Sequence, residues 1–205
     1  MTAGPGAGAA LEVPVLDAGP FRLRPFELSD LPLIEEAAGD PYIPLITTVP
    51  AAYTPGEGRA FIERQWGRAA DGTGYSFAIA DAASGRAVGQ AGLWVRQAGE
   101  GRASVGYWVA RSARGRQAAA LALFAVVRWA HRVQRIPRLE LHVEPWNTAS
   151  VRTAELAGFT REGLMRGWQE IGGERRDLCL YARLASDQIL DPAAAGPSSS
   201  PGRAR

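Results

Sequence analysis

The stretch Val105–Leu123, VGYWVARSARGRQAAALAL, constrains the chain more than any other. An apolar, aromatic run fit for a strand passes into an arginine-rich turn. The turn then opens a long apolar segment that suits a buried helix. A strand feeding a basic turn at a helix N-terminus makes a site for phosphate. Backbone N–H groups are free there, and the helix dipole favours negative charge. The basic character is local. Net charge is only +2, so nucleic acid is not an expected partner. All 23 basic residues are arginine, which excludes a lysine nucleophile, a Schiff base and a phosphate-loop lysine. A lone cysteine, Cys179, excludes an internal disulfide and a cysteine-based metal site. Two histidines, His131 and His142, are too few for a histidine zinc site, so no metal is expected. The uncharged run between Gln117 and Arg128 is too short to cross a bilayer. With no basic-then-apolar leader, no membrane association and a cytoplasmic location are the expectations.

At 205 residues the chain suffices for one domain with tails. Residues 1–12, rich in Gly, Ala and Pro, read as a loose segment, and 186–205 as a disordered tail. The folded part spans 13–185. Phe21–Phe26 alternates apolar and basic residues and reads as a first strand. Ser29 caps a helix to about Ala38, followed by a Pro- and Thr-rich loop from Asp40 to Tyr53. Thr54-Pro55-Gly56-Glu57 is a helix start, with Thr at N-cap, Pro at N1 and Glu at N3. That helix runs to about Ala70. Tyr75–Ile79, Ala87–Val95 and Ala103–Val109 form a meander across short turns. A helix from about Arg116 to Val133 leads to a fifth strand, Leu139–Val143. Reached across a whole helix, that strand is expected to pair in parallel. Asn147 caps a helix closed by Gly158, and Phe159–Ile171 with Arg175–Leu184 makes a last hairpin across Gly172-Gly173. About seven mostly antiparallel strands and four segregated helices give an α+β class.

Three stretches, in this order and spacing, resemble the GNAT (GCN5-related N-acetyltransferase) superfamily, and within it the ribosomal-protein N-terminal acetyltransferase branch. They are Val105–Val109 with Arg114-Gly115-Arg116; Asn147-Thr148-Ala149-Ser150 with Ala157-Gly158-Phe159; and Glu162-Gly163 through Asp177-Leu178. The resemblance covers residues 21–184. It implies that an acyl-CoA, usually acetyl-CoA, binds where the parallel fourth and fifth strands splay apart. It also implies that a primary amine attacks the thioester directly, without an acyl-enzyme.

The resemblance maps a pyrophosphate loop onto Arg114, Gly115, Arg116, Gln117, Ala118 and Ala119. Gln117 stands where the family has its central glycine, which lets backbone approach the phosphate closely. Its side chain either swings outward and donates a hydrogen bond or crowds the pyrophosphate. The family pattern pairs backbone groups around Trp108 and Val109 with the pantetheine arm, where an N–H also polarises the thioester carbonyl. As side chains, Tyr107 and Trp108 fit core packing equally well. Asn147 fits both a helix cap and a pantetheine contact. By the same resemblance Ser150 stands near the CoA sulfur, able to protonate the departing thiolate; a plain helix-start serine is the alternative.

The attacking ammonium must first lose a proton, so a base is required. On the fifth strand Glu140, His142 and Glu144 share a face. Glu144, where the strands diverge, is the first candidate. His142 has a suitable intrinsic pKa but reads better as packed and hydrogen-bonded. By the same resemblance a third route runs through Gln169-Glu170 on the following strand, where some relatives carry a carboxylate. Cys179 reads as an inert packed thiol. The acceptor side falls to Asp40–Trp66 and Leu164–Ile171, whose Tyr42, Ile43, Tyr53, Phe61, Trp66 and Trp168 suit a peptide or amphipathic amine.

The expected activity is N-acyl transfer from acetyl-CoA or another short acyl-CoA to a primary amine, foremost the N-terminal amine of a protein or peptide. Small amines, amine-bearing antibiotics and a GNAT-fold binding module with weak catalysis stand as alternatives. The fold also accommodates homodimers.

Overall fold

The computed structural model describes residues 9–187. Most of the expected loose segment and nearly all of the expected tail therefore lie outside the described residues. From Leu11 onward the N-terminal segment is docked. The Leu11 N–H donates to the Ala69 carbonyl at 2.8 Å, and its side chain packs against the core.

One eight-stranded sheet runs in the order β1-β2-β3-β4-β5-β6-β8-β7. Its strands are β1 (Leu16–Ala18), β2 (Phe21–Arg24), β3 (Gly74–Asp81), β4 (Ala87–Trp94), β5 (Arg102–Val109), β6 (Arg138–Val143), β7 (Thr160–Ile171) and β8 (Glu174–Leu184). Among the described residues five helices accompany it: α1 (Leu31–Ala38), α2 (Ile43–Ile46), α3 (Pro55–Ala70), α4 (Ala118–Arg132) and α5 (Thr148–Leu156). The α+β class holds, with two elements more than expected. The strand β1 is three residues long and pairs antiparallel with β2. One turn of helix, α2, sits inside what reads as a loop, because the buried Asp40 carboxylate accepts the N–H groups of Tyr42 and Ile43 at 2.9 and 3.0 Å. With β1 counted, the expected fourth and fifth strands are β5 and β6.

The sheet alternation divides the core in two. Phe77, Leu93, Val105, Leu139 and Leu141 point to the face covered by α4. Ala78 and Trp108 point to the other, against Ile34 of α1 and Phe61 and Ile62 of α3. The helix α4 is buried along most of its length, so its apolar run packs under the sheet. On α3 the Thr54 hydroxyl accepts the Glu57 N–H at 3.1 Å, and Pro55 opens the first turn.

The joint between β5 and β6 positions everything that follows. These two strands are parallel, and only three residue pairs are in register: Arg102 with Arg138, Ala103 with Leu139 and Ser104 with Glu140. Beyond Ser104 the strands part. On its other side β5 stays paired to β4 up to Val109, and β6 stays paired to β8 up to Val143.

Candidate active site

The parting leaves the β6-facing edge of Val105–Val109 without a strand partner among the described residues. Its N–H and C=O groups face a cleft of about 520 Å³ that passes through the sheet. Trp108, Glu144, Asn147 and Ser150 all line it, with Tyr42, Arg68, Gln90, Trp94 and His142. An open strand edge with unsatisfied backbone groups can take an extended ligand as an added strand.

Above this edge the chain turns through Arg111–Ala113 into the loop 114–117 and then α4. Gly115 has φ +80 and Gln117 has φ +60, both left-handed. Nothing lies within 4 Å of a Cβ built on Gly115, so its glycine serves the backbone conformation rather than a close contact. The left-handed Gln117 delays the helix to Ala118, two residues later than the expected start at Arg116. Its side chain makes no capping bond, so Ala118 and Ala119 begin the helix with uncapped N–H groups.

The two arginines of the loop are committed to carboxylates. Arg114 Nη2 donates to Asp40 Oδ2 at 2.6 Å, and Nε donates to the Val109 carbonyl at 3.3 Å. Arg116 Nη2 donates to Asp81 Oδ2 at 2.6 Å, and its guanidinium lies over the Phe21 ring. That pairing, helped by Ser84, lowers the Asp81 carboxyl to about 2. In this arrangement both guanidinium groups brace the loop against α1–α2 and β3, while the backbone N–H groups at the helix start stay uncapped.

Glu144 ends β6 and is only 4% exposed. It accepts the Trp146 indole N–H at 2.9 Å and the Tyr42 hydroxyl. Burial, then the Glu144 carboxylate, raises the Tyr42 pKa, so Tyr42 keeps its proton. Next to it, His142 departs from expectation. It is exposed to the cleft, makes no hydrogen bond among the described residues, and lies 6.2 Å from the Trp168 ring. Desolvation by the cleft walls holds its pKa below the ordinary value, against the pull of Glu140. Its imidazole is therefore neutral at pH 7. Gln169 lines the cleft, while Glu170 is exposed on β7.

Asn147 caps α5, its Oδ1 accepting the Ser150 N–H at 3.1 Å. The Ser150 carbonyl accepts the Tyr107 hydroxyl at 3.2 Å, while the Ser150 hydroxyl makes no bond among the described residues. Trp108 is buried, and its indole N–H donates to Gln90 Oε1 at 2.7 Å. Only the backbone of Trp108 is therefore available to a ligand.

A second polar group escaped the sequence reading. Gln90 Nε2 donates to Gln65 Oε1 at 2.9 Å, and Arg68 Nη1 donates to the same oxygen at 2.7 Å. The Arg68 guanidinium lies 5.8 Å from the Trp94 ring. That indole lies over two paired glycines, since a Cβ on Gly92 or Gly106 would meet it at 2.9 or 3.0 Å. The available signal was a glutamine within the apolar stripe Phe61, Ile62, Gln65, Ala69 of a helix. A buried glutamine there needs polar partners.

The structure thus brings Trp108, Glu144, Asn147 and Ser150 to one cleft. Val109 and residues Arg114–Ala119 adjoin it at the end of β5, outside its lining.

A model of the acetyltransferase (GNAT) domain matches residues 21–160. The chain is 24% identical over 162 residues to the uncharacterized N-acetyltransferase p20 of Bacillus licheniformis, covering 79% of this chain and 91% of that protein. Among solved structures, Mycobacterium smegmatis RimJ in complex with CoA-disulfide superposes with a TM-score of 0.75 at 25% identity. That match covers 89% of this chain and 91% of RimJ. RimL, a ribosomal alpha-N-protein acetyltransferase in complex with coenzyme A, superposes with a TM-score of 0.70 at 20% identity, covering 83% and 98%.

Proposed function

This chain belongs to the GNAT acetyltransferase family, and we propose that it transfers an acetyl group from acetyl-CoA to a primary amine, with the N-terminal amine of a protein or peptide as acceptor. The observation that carries this reading is the open edge of β5 facing a cleft through the sheet. RimJ and RimL support coenzyme A as the ligand and, for RimL, a protein amine as the acceptor.

The residues present fit the acetyl-CoA that the family implies. The unpaired edge of Val105–Val109 suits the amide groups of a pantetheine arm, and Asn147 stands at the same opening. The backbone N–H groups at Gln117, Ala118 and Ala119 suit a pyrophosphate. Bound there, acetyl-CoA supplies a thioester whose acetyl carbon bonds to the amine nitrogen as its bond to sulfur breaks. A β5 N–H near Val109 would polarise the thioester carbonyl. Glu144 takes the amine proton by way of the Tyr42 hydroxyl, which already donates to it. Ser150 Oγ would pass a proton to the departing sulfur and recover one from the newly acylated nitrogen, the second that nitrogen must lose. A second reading of the base is His142, favoured by its neutral, unpartnered imidazole in the cleft.

Calorimetric titration with acetyl-CoA, followed by thiol release on adding a peptide with a free N-terminus, tests the proposal. Micromolar binding and stoichiometric N-acetylation are expected. No binding of acetyl-CoA, or binding without transfer to any primary amine, would defeat it.

A further inference from the structure

Arg68 lines the cleft, and it differs there from the arginines that brace other parts of the fold. Arg24, Arg114, Arg116 and Arg138 each pair with a carboxylate. Arg68 has none among the described residues. Its partners are neutral: Gln65 Oε1 at 2.7 Å, Ser76 Oγ at 3.3 Å and Thr48 Oγ1 at 3.4 Å. Burial lowers its pKa, and the charges acting on it, Arg64 and Arg96, are cations that lower it further. A half-buried cation without a counter-ion, beside two others, is costly to hold.

The position is also built. Gln65 fixes one side of the guanidinium, and Trp94 backs it through a cation–π contact. Nε has no protein partner among the described residues, and Nη2 has only the long bond to Thr48 at 3.4 Å. These two nitrogens share one edge of the guanidinium, the edge that grips a carboxylate with two parallel bonds. Arg68 lines the same cleft as Glu144 and the open edge of β5.

We propose that Arg68 anchors the acceptor by holding a carboxylate that it carries close to its reactive amine, so that the preferred peptide has an acidic residue next to its N-terminus. This rests on the transferase reading and adds the class of acceptor. Acetyl transfer then takes place on an acceptor held at both ends: the amine at Glu144 and the carboxylate at Arg68.

Two peptide amides, Ala-Glu-Phe and Ala-Gln-Phe, isolate the charge. Each is titrated calorimetrically into the CoA-bound protein and then assayed for acetyl transfer. Wild type is expected to bind the Glu peptide roughly ten- to a hundredfold more tightly, the range for a charge-assisted pair. Arg68→Gln, which can keep a bond to Gln65, loses that preference. Equal binding of the two peptides by wild type, a preference that survives Arg68→Gln, or no binding of either peptide overturns the anchor. The wild-type comparison stands alone if the variant fails to fold. Equal kcat/KM for both peptides sinks the anchor and leaves the transferase intact. Tighter binding of the Glu peptide without transfer supports the anchor and sinks the transferase.

Discussion

Gln117 carries a left-handed backbone, φ +60, at the position where the family pattern has glycine. A residue with a Cβ costs about 1–2 kcal/mol in that region, partly offset by the 0.5–1 kcal/mol that glycine loses in chain entropy on folding. Gln117→Gly is therefore expected to raise Tm by up to about 6 °C. If the side chain crowds the pyrophosphate, the same change tightens acetyl-CoA binding by calorimetry. Weaker binding would mean that Gln117 makes a useful contact. Gly115→Ala is the converse. It meets no atom yet faces φ +80, so with the same entropic offset it should cost up to about 1.5 kcal/mol in a denaturant melt. The two candidate bases also separate at this scale. Glu144→Gln should lower kcat on the order of a hundredfold or more and move the acidic limb of the rate profile to higher pH. If His142 is the base instead, His142→Ala removes a limb lying below about pH 6.5, where the imidazole gains its proton. Glu144 was legible because it sits where a strand ends before Pro145. The exposure of His142 was not, because alternation assigns a face and not what covers it.

Asp40 joins three elements through one carboxylate. It caps α2 through the N–H groups of Tyr42 and Ile43 and binds Arg114 of the loop before α4. Burial alone would raise its pKa, but these three partners outweigh burial and hold it below the usual value. Asp40→Asn can keep one capping acceptor but loses the ion pair. The expected stability loss is about 1–2 kcal/mol, discounted because Arg114 is half exposed. With the loop less firmly braced, KM for acetyl-CoA should rise while kcat changes little. A kcat loss with unchanged KM would show that Asp40 acts on the chemistry instead. Most helices and strands were readable from caps and periodicity, as in Thr54-Pro55 for α3. The helix α2 was not, since a Pro-rich turn becomes helical only when a carboxylate is aimed at its first N–H groups.

The cleft runs between the two halves of the core, so ligand binding should be felt by the whole domain. At a hundredfold excess over Kd, acetyl-CoA adds about 2.7 kcal/mol to the folded state. For a chain of this size that predicts a single melting transition moved up by roughly 5–10 °C. Acid should move it down. His131 and His142 are both held below their ordinary pKa by desolvation. The unfolded chain therefore binds more protons than the folded one as pH falls below about 6.5, and stability drops with pH across that window. Between about pH 7 and pH 5 Tm should decline. His131→Gln should flatten part of the slope, and a wild-type Tm flat over that interval would contradict both shifts.

Local sequence determined the strand, basic turn and helix of Val105–Leu123, the cap at Asn147 and the parallel return through β6, because each depends on backbone geometry and spacing along the chain. Tertiary structure decided where the charges went. Arg114 and Arg116 look like phosphate ligands in sequence and are bonded to Asp40 and Asp81 in space. Arg68 carries no signal in sequence and stands half-buried in the cleft without an acid among the described residues. An arginine's charge is fixed by its identity, but its counter-ion comes from whatever distant segment the fold brings within a few ångströms.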